Sequence, residues 1–200
     1  MSVNLAESQT ALNLMRAFAG ESQARNRYTF AAQQAKAENL PVIEMVFKFT
    51  ADQEKEHAEV FYDFLKDMTG KTIQIDGSYP VNIYGKTLDY LRSAQHNEFE
   101  EFDPVYPDFG KIAAEEGFKQ IGIKFNEIAK IEKVHGDRFG MLADWLEQGK
   151  LFVSDVEEEW MCLNCGYIHK SSEAPKSCPV CNHPQGYFIR LALAPYTSKQ

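Results

Sequence analysis

The sequence predicts a mainly α protein, a bundle of four helices followed by a small β-rich domain organised by four cysteines. Three observations carry this expectation. Between residue 5 and about residue 148, four long stretches repeat apolar side chains at alternating intervals of three and four, the period of a bundle seam. Each stripe is interrupted near its middle by polar residues. All four cysteines lie in the last 39 residues, as Cys162-Leu163-Asn164-Cys165 and Cys178-Pro179-Val180-Cys181.

Taken in order, the first stripe runs Leu14, Phe18, Glu21, Arg25, Tyr28, Ala32 and Ala35. The second starts near Pro41 and carries Ile43, Phe47, Thr50, Glu54, His57, Phe61, Phe64 and Met68. From Gly70 to about Gly85 the stripe gives way to Gly, Pro and β-formers, a segment long enough to cross the bundle. The third stripe holds Tyr84, Leu88, Leu91, Gln95, Glu98, Phe102, Val105, Phe109 and Ile112; Pro104 and Pro107 inside it predict a kink or local break just after Glu101. The fourth carries Phe118, Ile121, Phe125, Ile128, Glu132, His135, Phe139, Leu142 and Leu146, and Gly149 stands where a helix ends. The expected division is a bundle over 1–148, a linker over 149–159 and a four-cysteine domain over 160–200.

A hydrophobic content of 44% builds a core without disulfides. There are 29 acidic and 21 basic residues, an excess of eight acids. Assigning five glutamates to metal, as argued below, leaves an excess of three, a weakly acidic surface that argues against nucleic acid. No apolar run is long enough for a membrane span, and Met1-Ser2-Val3-Asn4 lacks the basic start of a secretory signal, so the expected location is the cytoplasm. In a reducing compartment, paired Cys-x-x-Cys points to metal rather than disulfides.

A carboxylate on a seam loses several kcal/mol of hydration unless it is protonated, paired or bound to metal, and here every helix places one there. Glu54-Lys55-Glu56-His57 and Glu132-Lys133-Val134-His135 are both Glu-x-x-His, which aims two side chains at one point of a helix face. Glu21 precedes Glu54 by 33 residues and Glu98 precedes Glu132 by 34, so two similar hairpins bring all the polar interruptions to mid-bundle. One Glu from each of two helices and Glu-x-x-His from the other two is the arrangement of ferritin-like dimetal proteins. Carboxylates with two imidazoles and no thiolate favour iron or manganese, with positions open to oxygen or peroxide. Glu101, one turn beyond Glu98, is either a fifth ligand or a solvated member of the acidic run. Tyr28 and Tyr106 stand where their phenols reach ligand carboxylates, or simply pack in the core.

Four of these segments resemble the rubrerythrin family: Gly20-Glu21-Ser22-Gln23-Ala24-Arg25-Asn26-Arg27-Tyr28, Gln53-Glu54-Lys55-Glu56-His57-Ala58, the Glu98/Glu101 pair leading to Tyr106-Pro107, and Glu132-x-x-His135. The resemblance extends over nearly the whole chain; Pro104 departs from it, standing where family members often have an acid. It implies that Glu54 and Glu132 bridge two irons, that Glu21, Glu98 and His135 are terminal ligands, and that one iron moves between Glu101 and His57 with oxidation state. Glu101, His57, Tyr28 and Tyr106 are then the candidate catalytic residues.

Cys162, Cys165, Cys178 and Cys181 close a tetrahedral site that accepts iron or structural zinc. Gly166 and Pro179 resemble the turns of rubredoxin, which imply iron, with Trp160, Tyr167 and Phe188 as the aromatic core. The implied function is a peroxidase that reduces hydrogen peroxide with electrons relayed through the thiolate-bound iron. The resemblance implies an NADH-dependent flavoprotein or a separate rubredoxin as its electron donor. The rivals are a ferritin-type ferroxidase and a zinc-ribbon binding protein of the stress response. His135 lies thirteen residues before Gln148, so the last helix carries the chain about 20 Å from the dimetal site. A head-to-tail homodimer, which the resemblance also implies, shortens that gap.

Overall fold

The computed structural model describes residues 3–196; the outermost residues of the two expected domain ranges, 1–2 and 197–200, lie outside the described residues. Helix α1 spans Gln9–Ala37 and begins at Ser8, whose hydroxyl accepts from the Ala11 N–H, while Glu116 accepts from the Gln9 and Thr10 N–H groups. Asn39, at φ 57°, turns the chain, and Pro41 opens helix α2, Pro41–Asp63, in the position where its missing N–H is not needed. Helix α2 stops short of Phe64 and Met68, which the sequence stripe had included; Met68 lies in a separate short 3-10 turn, and Gly70, at φ 83°, starts the crossing segment.

Helix α3, Thr87–Glu100, continues into a π-type turn over Glu101–Val105 and then helix α4, Tyr106–Glu115. The break falls where the two prolines predict it, with Asp103 in an extended conformation. Tyr84 precedes α3 instead of belonging to it. Helix α5, Lys119–Glu147, completes the bundle; α1 packs along α2, and α5 packs along α3 and α4.

The buried stripe of α1 differs from expectation at one position. Arg25 is exposed and Ala24 is buried, because Ala17, Gly20, Ala24, Ala31 and Ala35 form a band of small side chains there.

Two apolar clusters occupy the two ends of the bundle. One gathers Leu14, Phe61, Tyr106, Phe125 and Ile128; the other gathers Tyr28, Ile43, Phe47, Leu91 and Phe139. Glu21 on α1, Glu54 on α2, Glu98 on α3 and Glu132 on α5 fall between the two, so the acids form a polar layer at mid-bundle.

The small domain is a three-stranded antiparallel sheet of order β2-β1-β3, with β1 over Val153–Cys162, β2 over Ile168–Glu173 and β3 over Phe188–Arg190. Most of the segment expected as a linker is therefore strand. Its acidic stretch, Asp155 to Glu159, lies where the central strand β1 runs beyond β3, and its mostly exposed side chains read like a charged connector in sequence. Only residues 148–152 join α5 to β1, and even there Leu151 is buried.

The domain sits firmly on the bundle. Leu151, Ile189 and Ala194 belong to the bundle's second apolar cluster, and a Cβ at Gly186 would come within 2.4 Å of the Asn39 carbonyl oxygen. Buried Arg190 lies 3.7 Å from the Trp145 ring centroid, donates to the carbonyls of Lys150 and Val153, and pairs with Glu158 at 3.0 Å. A burial of this kind is not compatible with free swinging.

Candidate metal centres

The four helices bring Glu21, Glu54, Glu98, Glu132, His57 and His135 into one cluster, and all six are buried. Their atoms fall into two overlapping groups, Glu21/Glu54/His57/Glu132 and Glu54/Glu98/Glu132/His135. Glu54 and Glu132 are common to both. Glu54 presents Oε2 to His57 Nδ1 at 3.0 Å and Oε1 to His135 Nδ1 at 3.0 Å; Glu132 presents Oε1 to His57 at 2.9 Å and Oε2 to His135 at 3.0 Å. Glu21 approaches only His57, at 3.9 Å, and Glu98 only His135, at 3.7 Å. The imidazoles face each other with centroids 5.7 Å apart.

The cluster fits a pair of cations. Glu21 Oε2, Glu54 Oε1, Glu98 Oε2, both Glu132 oxygens and both His135 ring nitrogens are buried without a hydrogen-bond partner, although several lie within 3.0 Å of one another. Buried lone pairs converging on shared points without satisfying each other are costly unless an ion accepts them.

The same crowding shifts the titrations. Burial, then the charges of Glu132, Glu101 and Glu54, lifts Glu21 well above the usual carboxylate range, and burial with Glu54 does the same to Glu132. Burial and Glu54 also raise Glu98. For Glu54 burial is outweighed by His135 and His57, which hold it down to about 2. Burial would lower His135, yet Glu132, Glu54 and Glu98 push it up to about 12. Without metal the layer stores protons; metal binding displaces them.

Tyr28 and Tyr106 enter this layer from opposite apolar clusters. Tyr28 donates its hydroxyl to Glu98 and Tyr106 donates to Glu21, both as very short contacts. Glu101 stands apart: it joins neither group and is half-buried, beside Gly20 at the edge of a cavity. Burial and the Glu98 charge raise it well above the usual range. The sequence reading missed Arg138, one turn beyond His135, which donates to Thr50 Oγ1 at 3.0 Å and stacks on Phe49. Its i+3 spacing from His135 was the available signal.

In the small domain Cys162, Cys165, Cys178 and Cys181 converge, with Sγ–Sγ distances of 3.7 Å for Cys162–Cys181 and 3.6 Å for Cys165–Cys178. Four sulfurs placed tetrahedrally at ~2.3 Å from an ion would be separated by ~3.8 Å, so the cage fits. The two knuckles fold alike: Gly166 N–H donates to the Cys162 carbonyl and Asn182 N–H to the Cys178 carbonyl, at φ 78° and 60°. Asn182 does in the second knuckle what Gly166 does in the first. The His183 N–H and the neighbouring thiols bring Cys181 down to about 6; Cys165, though exposed and held by the Tyr167 N–H, is pushed up to about 12 by partial desolvation and its neighbouring thiols. His169 and His183 are not part of the cage.

A four-helix bundle with two Glu-x-x-His motifs and two further seam glutamates, joined to a four-cysteine cage, defines a ferritin-like di-iron protein with a rubredoxin-like domain. Family models agree with both halves: the Rubrerythrin model matches residues 13–143, and that of the rubrerythrin rubredoxin-like domain matches residues 160–189. The chain belongs to the rubrerythrin family, whose members are iron-binding oxidoreductases. It is 47% identical over 188 residues to the rubrerythrin of Porphyromonas gingivalis, covering 94% of this chain and 92% of the relative. It is 45% identical to that of Clostridium perfringens, covering 92% and 95%. Among solved structures it resembles nigerythrin in its fully reduced, all-ferrous state, at a TM-score of 0.61 and 28% identity over 93% of this chain and 91% of that one. Among the described residues no helix is long and apolar enough to cross a membrane.

Proposed function

We propose that this chain is a peroxidase of oxidative-stress defence that reduces hydrogen peroxide to water, with electrons entering through the four-cysteine iron. The observation that carries the reading is the sharing of Glu54 and Glu132 between two donor groups, each completed by its own glutamate and histidine. Glu54 and Glu132 are assigned as bridging ligands, and Glu21, Glu98, His57 and His135 as terminal ones. When bound, the iron pair supplies the two electrons that cleave the peroxide O–O bond.

The protein's own part is to hold, orient and exclude. Tyr28 and Tyr106 fix the orientation of Glu98 and Glu21 by donating to them, and the apolar clusters on either side keep bulk water from the layer. His57 stands inside the first donor group while Glu101 waits outside it with a raised affinity for its proton. The two are assigned as alternative donors, each serving one oxidation state. A ferritin-type ferroxidase uses a similar bundle but has no use for an attached one-electron carrier.

The docked small domain lies against the α1–α2 turn, whereas the cluster is at mid-bundle. Delivery across a head-to-tail homodimer is therefore the route proposed, in the cytoplasm, from an NADH-dependent flavoprotein or a separate rubredoxin. A mixed dimer tests it: one chain carries Cys162→Ser and Cys165→Ser, the other Glu54→Ala and Glu132→Ala. Recovered NADH-coupled peroxide turnover in the verified, metal-loaded heterodimer is the expected result. No turnover there, with active wild-type homodimer alongside, sinks delivery in trans; an inactive wild type with three irons per chain sinks the peroxidase.

A further inference from the structure

A cavity of about 220 Å³ opens between α1, the crossing segment and the π-turn after α3. Its inner wall holds Glu101 and Tyr106, and Tyr106 in turn touches the deeply buried Glu21. Glu21, Glu54, Glu98, Glu132 and His135 are all at most 1% exposed, so of the acids at or beside the dimetal cluster it is Glu101 that lines the cavity, next to its solvent-facing neighbour Glu100. The outer wall comes from the crossing segment. Tyr79 folds back over Gly77, where a Cβ would meet its ring at 2.9 Å, and donates its hydroxyl to the Arg16 carbonyl at 3.3 Å. Beside it, Asp76 pairs with Arg16, and Asn82 accepts from Arg27 at 2.9 Å, which pins the segment to α1 on both sides of Tyr79.

Gly20 shows what this arrangement leaves open. A Cβ built there lies 3.9 Å from Glu101 Oε1 and 3.9 Å from Tyr79 Cε1, so ring and carboxylate face each other across the hydrogen of a glycine. Tyr79 is 43% exposed and contributes little to the core, so packing does not account for its being held over this point.

We propose that this cavity is the passage by which the oxidant reaches the Glu101 side of the dimetal cluster, and that Tyr79, seated opposite Gly20, sets the size of what enters. The inference rests on the peroxidase reading and deepens it by naming the substrate class. A liquid water occupies roughly 30 Å³, so hydrogen peroxide and its hydration fit within the cavity as it stands. The cavity as a whole is not the limit; the narrow point is at Gly20, where the Tyr79 ring and Glu101 Oε1 each stand 3.9 Å from one Cβ position, and an aromatic hydroperoxide passing there displaces the Tyr79 ring against its ties to the Arg16 carbonyl and the flanking pairs.

The test compares iron-loaded wild type, Tyr79→Ala and Tyr79→Phe with hydrogen peroxide and with cumene hydroperoxide. Tyr79→Ala is expected to raise kcat/KM for cumene hydroperoxide about tenfold or more, with that for hydrogen peroxide changing less than about threefold; Tyr79→Phe, which keeps the ring, is expected to behave as wild type. An unchanged preference in Tyr79→Ala at full iron content overturns the size limit.

A second readout does not depend on turnover. Gly20→Cys places a thiol in the passage while the native cysteines are occupied by iron. A small methanethiosulfonate is expected to label it at a similar rate with Tyr79 or Tyr79→Ala, and a bulky maleimide about tenfold faster with Tyr79→Ala. Equal maleimide rates in both backgrounds remove Tyr79 as the gate. A Tyr79-dependent labelling rate in a protein that reduces no peroxide retains the gate and discards the peroxidase reading.

Discussion

The carboxylate cluster draws side chains from four helices, from Glu21 to Glu132, whereas the four cysteines come from two short turns between Cys162 and Cys181. The first cluster is buried among like charges, and burial raises most of its acids. The second is half at the surface, with Cys162 and Cys178 buried and Cys165 exposed, and there backbone N–H groups and neighbouring thiols shape the titrations. A site spread over the whole fold can be formed only by the whole fold, and its ions must compensate for burying it. A site within two turns needs little beyond its own loops.

The largest effect expected from that difference is on iron content. Glu54→Ala with Glu132→Ala is expected to remove both bundle irons and lower peroxide turnover at least ~100-fold, while the thiolate-bound iron keeps its visible spectrum. Cys162→Ser with Cys178→Ser is expected to lose that spectrum alone, leaving two irons and an unchanged helical signal. Metal analysis with visible and far-ultraviolet spectra reads both; loss of bundle iron in the cysteine variant would break the comparison.

Next in size is the pH response of the metal-free chain. Glu21, Glu98, Glu101 and Glu132 are raised when folded, and so are His57 and His135, so the native state holds more protons than the unfolded one. Their stabilisation is present below the unfolded pKa values and is lost as pH rises through the folded ones. Glu54, held down to about 2, opposes this only below the ordinary carboxylate range. Metal-free protein is therefore expected to lose several degrees of Tm between pH 5 and pH 8, and iron-loaded protein to lose much less. A calorimetric Tm of the metal-free form that is flat or rising over that interval contradicts the proton-storing layer.

The smallest effect concerns Tyr106→Phe. Removing a hydroxyl that donates to a buried carboxylate costs about 1.5–3 kcal/mol, and a protein of this size then loses ~3–10 °C of Tm, with the iron count kept. An unchanged Tm would make Tyr106 a packing residue, the bland alternative that the sequence left open.

Much of this was legible in the chain itself because bundle and cage both rest on local spacing. The three-and-four period gave four helices, the Glu-x-x-His pair gave the layer, and Pro104 with Pro107 gave the break after Glu101. What escaped depends on contacts that spacing does not encode. Arg25 and Ala24 differ by one position on the stripe, and close packing of small residues decided between them. The acidic stretch of β1 resembled a linker because the exposed half of a strand and a solvated connector have the same composition. Arg138 and Asn182 went unnoticed since a lone arginine or asparagine is unremarkable until its neighbours are known. The cavity under Tyr79 involves three distant segments.

The seating of Ile189 and Ala194 in the bundle's second apolar cluster has a consequence for the order of events on the ribosome. Chains form their domains from the N-terminal side as they emerge. All five helices are available once residue 147 is out, and Leu151 follows at once, but Ile189 and Ala194, which share the apolar cluster of Leu40, Ile43 and Trp145, arrive only some forty residues later. During that interval the nascent bundle carries an incompletely covered apolar cluster. The strand that closes the small sheet, β3, is also the one that covers it, so completion of the cage and sealing of the helical core are a single late step in the chain's synthesis.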